Sequence, residues 1–315
     1  MASCRKGGEG DNCDYQNAQC KSVTVDHNGT RVDCKVRRKG STSWRDLHAR
    51  PSFKIKKMET QNGSPYPFDT DWVTEKLTLN NGVQKSFAEA EVKAYDIFRK
   101  LHVKSSLAQL CTVSLYRDDT LYNTQEDYTM IETINDDAFM KKHFGQNWTL
   151  WEGEEGETEC KRSSPDHLCD TDRTDVETLT LDDVDQTEMI NYFVGERLTS
   201  HTDSACLGMP TGNNYYVAKW YPTTEQNNPR YTYIPSGVDR AFTCTHQYFT
   251  AIPQCTPIQQ CVQSDDCYAQ YTDTYRDAMD GIYNHISPCI TTWHTLTAAL
   301  VCGTATVTPL LLTML

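Results

Sequence analysis

Lysine, aspartate and asparagine residues occur in this chain in the order that a phosphoryl-transfer site needs them. Such a site clamps phosphates with a lysine on an early strand and sets an aspartate beside the acceptor hydroxyl. Further asparagine and aspartate oxygens hold a metal. The stretch SFKIKKM offers Lys54, Lys56 and Lys57. The stretch SHTDSACLGMPTGNNYYVAKW, from Ser200 to Trp220, offers Asp203, with His201 before it and Asn213 and Asn214 after it. Asp239 follows in YIPSGVDRAF. Carboxylate and amide oxygens are hard donors and suit Mg2+. Ten residues separate Asp203 from Asn213, against about five in the kinase catalytic loop. Neither G-x-G-x-x-G nor a Walker A pattern is present. On spacing alone, a solvated loop whose Asp and Asn residues form turns explains the same residues.

Strands and helices must carry these groups. KSVTVDHNGTRVDCKVRR reads as a hairpin turning at Asn28-Gly29. SFKIKKM alternates apolar and basic residues, as a half-buried strand does. SFAEAEVKAYDIFRKLHV is the clearest helix, with Ser86 and Glu89 as a capping box and Ala94, Tyr95, Phe98 and Leu101 as its apolar stripe. CTVSLYRD and DYTMIETI read as strands, and DDAFMKKHFG as a short helix closed by Gly145. EGEEGETECKRSSPDHLCDTD reads as an acidic surface insertion, with Cys160–Cys169 as a local disulfide to test. DVDQTEMINYFVGERLTSH returns to helix, NYYVAKWY and RYTYIP are strands, and DDCYAQYTDTYRDAMDGIYNHI is a last helix. This is an α+β plan without alternating βαβ units.

Composition narrows the partners. The 315 residues carry a net charge of -13, which repels nucleic acid, so none is expected as a partner. Lys and Arg gather between residues 35 and 57, and acids between 152 and 188. A local basic segment on an acidic protein suits a small anion. The 14 cysteines include no C-x-x-C pair, which removes the main support for a zinc ribbon. With sequons at Asn28, Asn62 and Asn147, they point to an oxidising, secretory setting and a disulfide-stapled glycoprotein. Cys20–Cys34 is a second local pair to test. No signal-peptide h-region is visible at the start. From Ile286 to Leu315 there is no Asp, Glu, Lys or Arg. That tail reads equally as a GPI-attachment signal, a weak anchor or a buried helix.

A resemblance ties these stretches together. VRRKGSTSW followed by PSFKIKKM is similar to the opening signature of the spore-coat CotH kinase family, R-G-N-S-S-W and a basic strand. EKLTLNNGVQKSFAEAEVKAYDIFRKLHV resembles its next block of strand, Asn loop and helix. VSLYRDDTLYNTQEDYTMIETI resembles the block that ends in a Glu, here Glu132. SHTDSACLGMPTGNNYYVAKW and YIPSGVDRAF resemble the G-N-x-D…N-N-Y-Y and P-W-D-x-D-x-x-F-G blocks. The likeness runs in order over residues 22–285.

The resemblance implies an atypical protein-kinase-like α+β fold, strand-rich in its N-terminal part and more helical in its C-terminal part. It implies ATP and Mg2+ as cofactors and a protein Ser or Thr hydroxyl as acceptor. Asp203 would be catalytic, and Asn213 or Asn214 with Asp239 would hold the metal. Lys56 would clamp phosphates near Ser41 and Thr42 of the KGSTSW loop; from the residues themselves, Glu132 reads either as its partner or as an exposed cross-strand residue. Gly237 stands where the family's first D-x-D aspartate does, which removes one metal carboxylate. The expected organisation is a Cys-containing segment at 1–21, the kinase-like domain at 22–285 with an acidic insertion at 152–175, and the tail at 286–315. The leading expectation is a secreted or cell-surface CotH-like protein kinase. The alternatives are an inactive CotH-like surface adhesin, with membrane attachment through the tail, and a disulfide-stapled domain that binds no nucleotide.

Overall fold

The structure, a computed structural model, describes residues 21–27, 30–40, 49–59, 76–85, 87–117, 120–154, 157–164, 178–201, 213–222, 228–242 and 256–282, with positions 45, 72, 176 and 204 between them. Calls on residues 1–20 and 283–315, and on Ser41, Thr42, Ser86, Cys169 and Asp203, lie outside the described residues. The chain forms two compact units, Met1–Val92 with Ser106–His143, and Lys93–Ser105 with Phe144–Leu315.

The first unit is built on a six-stranded antiparallel sheet in the order β1-β2-β3-β4-β6-β5. Its strands are β1 Lys21–His27, β2 Thr30–Lys39, β3 Ser52–Glu59, β4 Lys76–Asn80, β5 Ala108–Arg117 and β6 Thr120–Glu132. The hairpin register pairs His27 with Thr30 around the expected Asn28-Gly29 turn. Residues opposite one another across a sheet share a face. Val36, Ile55 and Leu77 form one such rank, and with Cys34, Trp72 and Met130 they make the core.

Helix α1, Ala90–Lys100, starts later than the capping-box reading because Phe87–Glu89 form a turn before it. Its C-terminal end is a Schellman motif: the Val103 N–H donates to Phe98 O at 2.9 Å and the His102 N–H to Arg99 O at 2.9 Å. His102 takes the left-handed position, with φ 60. Helix α2 is Asp137–Phe144, and Gly145 follows at φ 77.

The second unit carries a four-stranded antiparallel sheet in the order β10-β9-β7-β8. These strands are β7 Trp148–Glu154, β8 Glu157–Ser163, β9 Tyr215–Trp220 and β10 Arg230–Pro235. Residues 152–154 and 157–163, expected within a surface insertion, lie in β7 and β8. β8 is the sheet edge, where charged side chains are favoured because they block further pairing. Lys161 there meets Glu152 at 3.1 Å and Glu159 at 2.6 Å.

Helix α3, Gln186–Thr199, is capped by Asp185, whose carboxylate accepts from the Glu188 N–H at 2.9 Å. Gly195 lets the Phe98 ring approach, since a Cβ there would stand 2.5 Å from it. The expected last helix is preceded by another. Helix α4, Thr256–Gln263, ends at Ser264 and α5, Asp265–Ile282, begins. A Cys261–Cys267 disulfide ties the two, with a Cα separation of 5.0 Å. The α+β class therefore holds, with sheet in both units. No helix among the described residues is long and apolar enough to cross a membrane.

Candidate functional site

In the second unit, three segments that sequence places far apart meet. The first is the end of α3. Its backbone closes in a Schellman motif with Ser200 left-handed at φ 46, and the His201 N–H donates to Glu196 O at 3.2 Å. That geometry turns the His201 ring back over α3. Its Nδ1 lies 3.0 Å from Glu196 Oε2, with both side chains fully buried. The second segment is Asn213-Asn214 before β9. The Asn213 N–H donates to Ser204 O at 3.3 Å. The third is the turn after β10, which runs through Gly237 into the 3-10 turn Val238–Arg240. The His201 Nε2 reaches Gly237 O at 3.3 Å, the Ser236 N–H reaches Asn214 O at 3.0 Å, and the Phe242 N–H reaches Thr199 O at 2.6 Å. Asn213, Asn214 and Asp239 are thus brought into one neighbourhood. Asp203 lies outside the described residues, between the placed His201 and Ser204.

Gly237 adopts φ 56, and a Cβ there would stand 2.5 Å from the Asn214 side chain. Asn214 is itself left-handed, at φ 52, a conformation Asn tolerates better than most residues. Glycine is therefore the one residue type that fits both the backbone and the space at position 237. For a metal, the chain here offers two amide side chains and the Asp239 carboxylate. This oxygen set matches Mg2+ chemistry with a reduced negative charge. Among the described residues no three His, Cys, Asp or Glu side chains cluster as a metal site.

In the first unit, Lys56 lies on β3 in a cross-strand rank with Lys35 and Lys76. Arg37 and Lys54 form the neighbouring rank on the same face. Like charges directly opposite one another are destabilising, so five cations on one face call for counter-charge. Lys76 finds it in Asp136 at 3.6 Å and Asn135 O at 3.0 Å. Glu132 does not share this face. It ranks with Leu77 and Ile55, is buried, and its carboxylate accepts from the Leu107 N–H at 3.2 Å. The expected Lys56–Glu132 pairing is corrected accordingly, because the two side chains leave the sheet on opposite faces.

Two buried carboxylates escaped the sequence reading. Glu91 on α1 accepts from Asn80 Nδ2 with both oxygens, at 3.0 and 3.2 Å, and Asn80 Oδ1 accepts from the Ser52 hydroxyl at 3.1 Å. Nearby, Lys85 folds across Gly82, which has φ 63, and its Nζ donates to Asp127 O at 2.6 Å. Burial lowers its pKa, with Glu91 opposing and Arg50 assisting. The other carboxylate is Glu196. Burial, and then the Glu196 carboxylate, raise the Tyr192 hydroxyl well above the usual phenol range. The Asn80-Asn81 loop was a signal for the first network. For the second, only the apolar neighbours of Glu196 on α3 hinted that it faces inward.

Protein-family models and curated proteins were compared with the chain, and none matches it.

Proposed function

We propose that the chain is a CotH-like protein kinase of the secretory route, transferring the γ-phosphoryl group of ATP to a Ser or Thr hydroxyl of an extracytoplasmic protein. The observation that carries this reading is the contact of the His201 ring with Gly237 O. It draws the neighbour of Asp203 to the turn that carries Asp239, with Asn214 packed against the same turn. In this reading Asp203 accepts the hydroxyl proton as the new phosphorus–oxygen bond forms and the bond to the β-phosphate oxygen breaks. Asn213, Asn214 and Asp239 hold Mg2+, which supplies charge compensation for the phosphates. The resemblance also assigns phosphate contacts to Lys56, Ser41 and Thr42. Glu132 has a structural role. The kinase-like fold, the secreted or surface location, and the acceptor protein belong to the same proposal.

Gly237 favours a second reading. A site short of one carboxylate, with Asn214 packed where its Cβ would be, suits an inactive CotH-like surface protein that acts by binding. The two readings part on one assay. Incubation of the chain with radiolabelled ATP, Mg2+ and a panel of secreted proteins gives label on Ser or Thr for the enzyme. That label is lost in Asp203→Asn. No label, with a folded chain, supports the adhesin.

A further inference from the structure

We propose that His201 and Glu196 form a proton-sharing pair that positions the end of α3, two residues before Asp203 in sequence, against the turn carrying Asp239. Both ring nitrogens of His201 face oxygen, Nδ1 at 3.0 Å from Glu196 Oε2 and Nε2 at 3.3 Å from Gly237 O. A carbonyl oxygen can only accept, so Nε2 carries a hydrogen. A carboxylate also only accepts, so Nδ1 carries one too, unless the proton sits on Glu196. In either form the pair holds one proton more than a neutral histidine beside an ionised glutamate.

Glu196 Oε1 and the Tyr192 hydroxyl, one turn earlier on α3, are buried without a hydrogen bond between them. Tyr215 on β9 and Tyr233 on β10 stand beside Tyr192 and act on it. Burial raises Tyr233 as well, so Tyr192 and Tyr233 stay neutral. Arg197, the next residue on α3, turns instead to Tyr271 on α5. Asp239 and Arg240 lie on the turn just beyond Gly237. A buried charge without its partner is strongly destabilising, so the extra proton depends on Glu196, while the contact to Gly237 O needs only the hydrogen on Nε2. His201 and Glu196 are positioning residues. The inference rests on the kinase reading only for what they position.

The test uses the full chain with 15N-labelled histidine. The expected spectrum shows, at neutral pH in the wild type, hydrogens on both His201 ring nitrogens, or one on Nε2 with a protonated Glu196 carboxyl. Glu196→Gln is expected to leave one, with the amide donating to Nδ1 and Nε2–H retained on Gly237 O. In phosphotransfer, His201→Asn, too short to bridge, lowers kcat at least about tenfold with KM for ATP within about twofold. Glu196→Gln keeps kcat within about threefold. A single ring hydrogen beside an ionised Glu196 in the wild type overturns the shared proton. Unchanged kcat in His201→Asn overturns the positioning role. An inactive wild type removes the kinase reading, and amide exchange then decides the pair. Faster exchange at the Ser236 and Phe242 amides in His201→Asn upholds it, and unchanged exchange overturns it.

Discussion

The missing side chain of Gly237 leaves a space that Asn214 fills, since a Cβ at Gly237 would stand 2.5 Å from the Asn214 side chain. With φ 56, Gly237 also holds a left-handed backbone that disfavours a side chain by about 1–2 kcal/mol. Placing a carboxylate there with Gly237→Asp is therefore expected to destabilise the chain by about 2–3 kcal/mol. Adding Asn214→Gly is expected to recover the steric part and leave the backbone part. Urea unfolding of both variants checks this. A Gly237→Asp protein as stable as the wild type would contradict it.

His102 sits in the left-handed position of the Schellman motif that ends α1, at φ 60 and exposed. Glycine is the usual occupant because it has no Cβ to clash. His102→Gly is expected to stabilise the chain by about 1 kcal/mol. A lowered urea midpoint would show that the imidazole makes a contact worth more than the backbone strain.

The Cys261–Cys267 disulfide closes a short loop between α4 and α5, with a sequence separation of 6. Loop-closure entropy for so short a ring gives about 2 kcal/mol. The Cys261→Ser/Cys267→Ser double variant is expected to lose about that much in reversible unfolding. Both sulfurs are buried, so a much larger loss would point to packing rather than chain entropy.

Burial pushes the Cys111 thiol up to about 11, with Lys85 opposing. An unfolded chain releases this proton near about 8.5. Between those values the native chain binds more protons than the unfolded one, so stability falls as pH rises. Cys111→Ala is expected to flatten this part of the alkaline profile. At pH 8 iodoacetamide should label Cys111 quickly only after unfolding. Rapid labelling of the native chain would contradict the shift.

Elements whose own side chains repeat were legible before folding. The alternation of SFKIKKM fits β3, and the turn signal Asn28-Gly29 fits the β1–β2 hairpin. β8 was not legible, because GluThrGluCysLysArgSer at 157–163 has no apolar face and owes its strand to pairing with β7. The break between α4 and α5 depends on a disulfide that connectivity-blind reading cannot assign. At the candidate site, residue types and chain order were visible in the sequence. The Lys56–Glu132 pairing failed because a side chain's face depends on cross-strand register, set by β4 between them. Glu196 was hidden because its inward direction follows from how α3 packs.

Nucleotide binding tests the central claim most directly. Calorimetry with ATP is to be run with and without Mg2+ on the wild type, Lys56→Met, Asp203→Ala and Asp239→Ala. The account predicts binding that depends on Mg2+. Lys56→Met and Asp239→Ala should each weaken it about tenfold or more, a loss of about 1.4 kcal/mol, while Asp203→Ala largely retains it. A folded wild type that takes up no heat with ATP, in the presence or absence of Mg2+, would contradict the kinase reading and leave the chain as a binding protein.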